Sequence, residues 1–174
     1  MILGLDISTS KIGYAIIDNN QDLQESRVIK FKSDVPLEKR AKAFEERMLN
    51  LMVKYDIQQI FVEQPFMAFS GGKTTAQTMA KLQRFNGMCC YGVFNLYGFP
   101  PQLVPANAAR AAVGIKRKRG EDIKKKVIEW VHQSYPKDFI VEYTRHGNPK
   151  PGTDDMADAV IVALAGKKIL DNSV

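Results

Sequence analysis

The stretch ILGLDI, residues 2–7, decides the fold of this 174-residue chain. Its nearly continuous apolar run predicts a β-strand that is covered on both faces. Asp6 lies inside that run, and a carboxylate is almost never fully buried unless a positive group accompanies it. The sequence therefore predicts that a cation lies close to the end of the first strand.

Two further apolar segments carry acids in the same way. QIFVE, residues 59–63, ends at Glu63, and DDMADAVIV, residues 154–162, contains three aspartates. Four carboxylates gathered in one place would repel each other, and Mg²⁺ both relieves that repulsion and keeps positions open for substrate phosphates. The pattern predicts a phosphoryl-transfer site with two Mg²⁺ ions, assembled from distant parts of the chain.

The surrounding pattern predicts an α/β domain. Strands are expected at residues 2–7, 12–18, 25–32, 58–63 and 102–104, and helices at about 36–55, 75–97, 107–113 (capped by Asn107), 121–134 and 153–170. Strands come first as a meander and then alternate with helices, which indicates a mixed five-stranded sheet with helices on both faces. We expect residues 1–174 to form a single domain.

This topology would bring the acids together. If the first and fourth strands are parallel neighbours, Asp6 and Glu63 leave the sheet side by side at its carboxyl edge. On the last helix, Asp158 shares a face with Asp155 at i, i+3 and with Asp154 at i, i+4. Small residues on that helix, Ala157, Ala159 and Ala163, would allow a close approach to the sheet.

Each acid also has a simpler interpretation. Asp6 could accept hydrogen bonds from the following turn, and Glu63 could end its strand without binding anything. Asp154 or Asp155 could be a charge favoured by the helix macrodipole at the start of the last helix. Asp158 differs from these, because it falls within the apolar stripe of that helix.

Basic residues are concentrated in one region. The formal net charge is +6, and two runs at residues 116–119 and 124–126 hold much of the excess. We expect the first run to form a phosphate-binding surface beside the metal site; its members are Lys116, Arg117, Lys118 and Arg119. The second run is interpreted as a solvated helix face with Glu121–Lys125 and Asp122–Lys126 pairs.

Other features narrow the class of protein. Cys89 and Cys90 are adjacent and are expected to be small core residues of a helix. The sequence has no apolar stretch of membrane-spanning length, and a cytoplasmic protein is expected. A lone His146 in the loop before the last helix is left out of the catalytic set.

Several short motifs resemble the RuvC-type Holliday junction resolvases of the ribonuclease H-like nuclease superfamily. They are GLD at 4–6, GYA at 13–15, VEQPFM at 62–67, AAR at 108–110 and DMADA at 155–159. The resemblance covers nearly the whole chain. It implies a ribonuclease H-like fold and a homodimeric, Mg²⁺-dependent endonuclease that nicks opposing strands of a four-way DNA junction, with Mn²⁺ able to substitute.

Carried over position by position, the resemblance assigns the catalytic and metal-binding acids to Asp6, Glu63, Asp155 and Asp158. Phe66 and Phe69 fall in the junction-contacting loop, where they are expected to stack on or insert between bases; core packing is the alternative, most of all for Phe66. Residues 6–10 read DISTS where bacterial members usually have Asp-Pro-Gly. This departure indicates a divergent branch, and a phage-encoded member would act in the host cytoplasm.

Further expectations concern the dimer interface and the alternative functions of the chain. In the resembled family the helix at 75–97 contributes to the dimer interface, and Phe85 and Tyr97 are predicted to face the partner. An RNA-processing nuclease of the same fold and a non-catalytic junction-binding protein remain alternatives. The opening GLDISTS also resembles the phosphate loop of actin-like sugar kinases, but this chain is too short for the two domains which that fold requires.

Overall fold

The computed structural model describes residues 1–65 and 76–173, so that the predicted DNA contacts Phe66 and Phe69 lie outside the described residues. Five strands and five helices follow one another in this described part of the chain. They are β1 (Ile2–Ile7), β2 (Lys11–Ile17), β3 (Leu23–Lys30), α1 (Leu37–Lys54), β4 (Gln59–Glu63), α2 (Ala76–Tyr97), β5 (Gln102–Val104), α3 (Ala106–Ala112), α4 (Ile123–Ser134) and α5 (Thr153–Asp171). Within these residues, none of the helices is both long enough and apolar enough to cross a bilayer.

The five strands form one mixed sheet in the order β3-β2-β1-β4-β5. β1 pairs antiparallel with β2, and β2 pairs antiparallel with β3, whereas β1–β4 and β4–β5 are parallel. Leu5 lies opposite Val62 in the register of β1 and β4. Asp6 and Glu63, the next residue on each strand, therefore leave the sheet side by side, as the sequence predicts.

Alternating side chains divide the sheet between two cores, because successive residues of a strand point to opposite faces. On one face, Leu3 and Leu5 of β1 join a buried cluster with Phe44 and Met48 of α1. On the other face, Phe61 of β4 joins the cluster built on α5. The predicted sheet with helices on both faces is confirmed.

Helix α5 lies directly on the backbone of the central strands. A Cβ atom added at Gly4 of β1 would lie 2.2 Å from the carbonyl oxygen of Ala159, and one added at Gly13 of β2 would lie 1.9 Å from that of Asp155. Real Cβ atoms do not approach so closely, and both positions therefore require glycine. The main chain of α5 is thereby fixed against the strand that carries Asp6.

Arg40 of α1 is buried and ties two loops together, the β1–β2 turn and the connection between β3 and α1. Its Nε donates to the carbonyl of Val35 at 2.7 Å, its Nη2 to that of Ser33 at 2.9 Å, and its Nη1 to that of Thr9. All three acceptors belong to the main chain. The turn that follows Asp6 is thus held to the start of α1.

One prediction about helix α2 is wrong. Phe85 is fully buried, with its ring edge-on to Phe31 at 5.9 Å between centroids, because α2 buries a face wider than the single stripe read from the sequence. Tyr97 is half-buried and its hydroxyl donates to the carbonyl of Met48 at 3.1 Å, and its place at a dimer interface stays a prediction. The buried Cys89 agrees with its predicted place in the core.

Some element ends also differ from those predicted. Helix α3 begins after Pro105, which is its N-cap residue, and the predicted cap Asn107 lies within its first turn. Helix α4 begins after Asp122 rather than at Glu121, because the Asp122 side chain accepts from the main-chain N–H groups of Lys124 and Lys125. Such shifts of one or two residues depend on local capping rather than on hydrophobic periodicity.

Candidate active site

Asp6 lies at the edge of the sheet on the face covered by α5. It follows Gly4 at the spacing of two that keeps side chains on one face, and the backbone of α5 contacts that face. Burial raises the pKa of Asp6 well above its usual value, and the neighbouring carboxylates of Glu63, Asp158, Asp155 and Asp154 raise it further. The acids that are distant in sequence are therefore electrostatic neighbours.

Glu63 reaches the same place from β4. It is two residues beyond Phe61, which packs against α5, so its side chain lies on the same face of the sheet. Burial and the charge of Asp158 raise its pKa to about 7, although Arg110 and Lys124 oppose that shift. Its Oε2 atom is buried and has no hydrogen-bond partner.

Asp155 and Asp158 come from the first two turns of α5 and are both buried, with 7% of each residue exposed. Oδ2 of Asp155 lies 2.7 Å from Nζ of Lys11. Oδ1 of Asp158 lies 3.6 Å from Nη2 of Arg110, and burial raises the pKa of Asp158 despite that cation. Two basic side chains thus stand beside the two buried aspartates.

Asp154 has a different environment, although it is adjacent to Asp155. Its Oδ2 accepts a 2.6 Å hydrogen bond from Nζ of Lys124, and its Oδ1 lies 3.8 Å from Nζ of Lys11. Burial alone would raise its pKa, but the bond to Lys124 and the charges of both lysines lower it to about 2. Asp154 is therefore an ion-paired carboxylate at the rim, whereas Asp155 points inward.

Lys124 is exposed, as expected for a solvated helix face, but its ammonium also borders the site through Asp154. Lys126 pairs with Glu121 at 2.7 Å, and Lys125 lies 3.8 Å from Glu129. The two expected pairs do not form, because Asp122 is used as the cap of α4. Sequence reasoning missed Lys11 and Lys124, whose positions depend on contacts between elements.

The basic loop at residues 116–119 lies beside the acids. All four of its side chains are exposed, and a cavity of about 640 Å³ extends from Glu63 past Arg110 to Arg117. Nζ of Lys126 donates to the carbonyl of Lys116 at 3.0 Å, which fixes the loop to α4. A cavity with two arginines in its lining thus connects the loop to Glu63.

The donor set suits a hard divalent cation. Within residues 1–65 and 76–173, no three His, Cys, Asp or Glu side chains are gathered closely enough to hold a metal ion as they stand. However, Glu63 offers a buried oxygen without a hydrogen-bond partner, and the buried Asp155 and Asp158 stand beside other carboxylates as well as beside Lys11 and Arg110. Carboxylate oxygens in such surroundings are the ligands that Mg²⁺ and Mn²⁺ prefer.

Divalent cations should stabilise the protein more at pH 8 than at pH 5.5. Glu63 in the folded chain holds its proton up to about pH 7, whereas the unfolded chain loses it near pH 4.5, so the metal-free protein becomes less stable as the pH rises between those values. A bound cation removes this penalty where the acids are charged. Thermal unfolding with Mg²⁺ or with EDTA at both pH values measures the effect, with KCl of equal ionic strength as control. Equal shifts of Tm at the two pH values would contradict the assignment.

Comparison with known proteins agrees with this geometry. The sequence profile of the family described as crossover junction endodeoxyribonuclease RuvC matches residues 2–166. A protein of that name from Aliarcobacter butzleri (strain RM4018) is 26% identical over 166 residues, which cover 94% of this chain and 95% of the relative.

Solved structures share the fold. Thermus thermophilus RuvC, in complex with a Holliday junction substrate, gives a TM-score of 0.69 at 15% identity and covers 99% of this chain and 96% of that one. Fowlpox virus resolvase, in complex with Holliday junction DNA, gives a TM-score of 0.50 at 15% identity, with 97% of each chain covered. The predicted ribonuclease H-like fold is confirmed.

Proposed function

The chain belongs to the RuvC family of crossover junction endodeoxyribonucleases, and we propose that it resolves four-way DNA junctions by paired, metal-dependent nicks. The observation that carries this proposal is the meeting of acids from β1, β4 and α5 at one edge of the sheet, next to an exposed basic loop. Carboxylates gathered in this way can hold the metal ions that activate water and stabilise the leaving oxygen in phosphodiester hydrolysis.

Divalent-metal dependence is a property of the family; the identity and number of the ions are part of the proposal. We assign their ligands to Asp6, Glu63, Asp155 and Asp158, with two Mg²⁺ ions that Mn²⁺ can replace. When bound, the ions supply an activated water and stabilise the leaving oxygen. Lys11 and Arg110 would balance the charge of the two aspartates of α5 before metal arrives.

The remaining side chains position the substrate. Arg110 and Arg117 line the cavity that reaches Glu63, and their guanidinium groups suit phosphate oxygens. We propose that the cleaved strand follows this cavity, with the exposed Lys116, Lys118 and Arg119 on the flanking backbone. Phe66 and Phe69, outside the described residues, stay predicted contacts to the bases.

Cleavage of a labelled mobile four-way junction in Mg²⁺ tests this function, beside linear duplex, a three-way fork and an RNA duplex. Paired symmetric nicks on the four-way junction alone are expected. Nicking of every branched DNA would indicate a less selective debranching nuclease. RNA cleavage without DNA cleavage would overturn the proposal, as would junction binding that yields no product.

Charge reversal in the basic loop should weaken junction binding. The Lys116→Glu/Lys118→Glu variant is expected to bind roughly tenfold or more weakly and to reduce the slope of log Kd against log salt, by about 0.9 for each phosphate that the protein no longer neutralises. Titrations between 50 and 200 mM salt measure both quantities. The matched control is Lys39→Glu/Lys42→Glu, two exposed positions of α1 on the opposite face of the sheet. An unchanged slope in the first variant would mean that the loop does not contact DNA.

A homodimer is proposed through α1 and α2. Five of the nine large apolar side chains that are exposed among the described residues lie on these two helices: Leu49, Met52, Val53, Tyr91 and Phe94. Apolar side chains concentrated on one face are typical of an association surface. A two-fold dimer would also explain paired nicks in a two-fold substrate.

The Phe94→Glu variant should therefore dissociate at concentrations where the native chain is dimeric. Burial of a charge at the centre of an interface is expected to raise the dimer Kd at least about tenfold. Sedimentation equilibrium measures the change. Ile169→Glu, at the exposed end of α5, is the control and should leave the dimer intact; dissociation of both variants or of neither would contradict this interface.

A further inference from the structure

The segment between α4 and α5 is a loop, as the prolines and glycines of residues 136–152 predict, and its tip is closed by main-chain hydrogen bonds and one antiparallel bridge. Thr144 N–H donates to the carbonyl of Asn148 at 2.8 Å, and Lys150 N–H donates to that of Glu142 at 2.8 Å. Tyr143 and Pro149 form an antiparallel bridge between the two sides. We refer to residues 142–150 as the arm.

The arm ends directly at the active-site helix. The carbonyl of Lys150 accepts from both the N–H and the Oγ1 of Thr153, at 3.1 and 2.8 Å, and Asp155 is only two residues further along α5. The next residue after Pro151 is Gly152, with φ of 102°, at which an added Cβ would lie 2.9 Å from Val28 of β3. The base of the arm is therefore fixed to the sheet as well as to the helix.

A row of basic residues connects the arm to the acids. Lys30 of β3 lies near Gly152 and is paired in register with Lys11 of β2, and the Lys11 ammonium contacts Asp155. The arm thus borders the site from the side of β3. The loop at residues 116–119 borders it through Glu63 and Arg110, on the side of β4.

The exposed side chains of the arm have the chemistry of a nucleic-acid contact. Tyr143 is 58% exposed, and Arg145, His146 and Lys150 are also exposed. Arg145 uses only its Nε to donate to His146, at 3.0 Å, so its terminal nitrogens lie outside that bond. The one acid of the arm, Glu142, is paired with Lys150 at 2.8 Å. Cations next to an exposed aromatic ring bind phosphates and can stack on bases.

We propose that the arm is a second DNA-binding surface, which holds the sugar–phosphate backbone of the duplex on the β3 side of the cleaved phosphate. The inference rests on the proposed function, since it names a further contact of the same site with the same substrate. Cationic surfaces on two sides of one active site match a branched substrate whose phosphates extend to both sides of the cut.

Binding of the Arg145→Ala variant to a four-way junction in EDTA tests the proposal, since Lys150 is already paired with Glu142. With one fewer phosphate neutralised, the slope of log Kd against log salt should fall by about 0.9, and binding should weaken several-fold near 100 mM salt. The matched control, Lys137→Ala, also removes one exposed cation, from a position outside the arm, and should bind with the native slope. Equal thermal unfolding midpoints would show that all three proteins are folded.

Two further measurements make the outcome decisive. Hydroxyl-radical footprints should lose protection on one flank of the cut in the arm variant and retain it on the flank covered by residues 116–119. Native affinity, slope and footprint in that variant would overturn the inference, as would an altered oligomeric state, since the arm would then contact a second copy. Absence of junction binding by the native chain would instead reject the proposed function itself, so the two failures are distinguishable.

Discussion

The Asp6→Asn protein is expected to bind a four-way junction at least as tightly as the native chain and to cut it about 10³-fold more slowly. The substitution removes a proposed metal ligand while keeping the size of the side chain. Metal coordination contributes several kcal/mol to phosphodiester cleavage, and each 1.4 kcal/mol corresponds to about tenfold in rate. Binding should persist because a negative charge close to the DNA phosphates is removed.

When both proteins are free of metal, the Asp6→Asn protein should be more stable than the native chain. The pKa of Asp6 is raised in the folded protein, first by burial and then by the surrounding carboxylates. An acid of this kind destabilises the fold at pH values above its unfolded pKa, where the unfolded chain has released the proton. At pH 8 in EDTA the Tm of Asp6→Asn should therefore exceed that of the native chain, and the difference should shrink towards pH 4.

Single-turnover cleavage, junction titration and thermal unfolding at the two pH values measure these effects. Asp56→Asn makes the same chemical change at an exposed residue just before β4, at the end of the strand opposite Glu63. It should cleave, bind and unfold as the native protein does. A folded Asp6→Asn protein that no longer binds junctions, or that cleaves them at the native rate, would count against the site.

The Gly13→Ala variant is expected to lose about 3 kcal/mol of unfolding free energy. This value is the upper end of the range that is typical when atoms are added to a well-packed core. The new Cβ would lie 1.9 Å from the carbonyl oxygen and 2.3 Å from the carbonyl carbon of Asp155. Both are backbone atoms of a buried helix, with no flexible side chain to move aside. Helix α5 would have to shift, and Asp155 with it, so cleavage should fall together with stability.

Urea unfolding measures the loss, with Gly87→Ala as the control. Gly87 lies in helix α2 with open space around its Cα, and alanine there should stabilise the protein by about 0.5–1 kcal/mol. Native stability of Gly13→Ala would show that α5 does not lie on β2 in this way. Destabilisation by both variants would point to a general sensitivity of the chain rather than to this packing of helix on strand.

The parts of the fold that the sequence predicts are those that depend on the pattern of neighbouring residues. The apolar run ILGLDI predicts β1, the helical spacing of apolar residues predicts α1, and the apolar run that ends at Glu63 predicts β4. The parallel pairing of β1 and β4 then follows from where their carboxylates stand. The alanines of α5 indicate its close approach to the sheet, and the partner glycines in β1 and β2 confirm it.

Other features depend on contacts between elements and could not be read from local pattern. The Lys124 side chain reaches Asp154 over 30 positions of sequence, and Lys11 of β2 reaches Asp155 of α5. The burial of Phe85 needs the ring of Phe31 from the end of β3. The arm is held by main-chain hydrogen bonds, which leave no trace in residue type.

Arg40 has a consequence for how the sequence around the active site can evolve. Because its guanidinium binds only main-chain carbonyls, it fixes the turn after Asp6 without a demand on the side chain of Thr9 or Ser33. Every residue has a carbonyl, so substitutions at these positions leave the three bonds intact. The side chains of the turn at residues 7–10 can therefore vary while Asp6 is still held in place. Mutational tolerance of the turn and intolerance at Arg40 are two aspects of one arrangement.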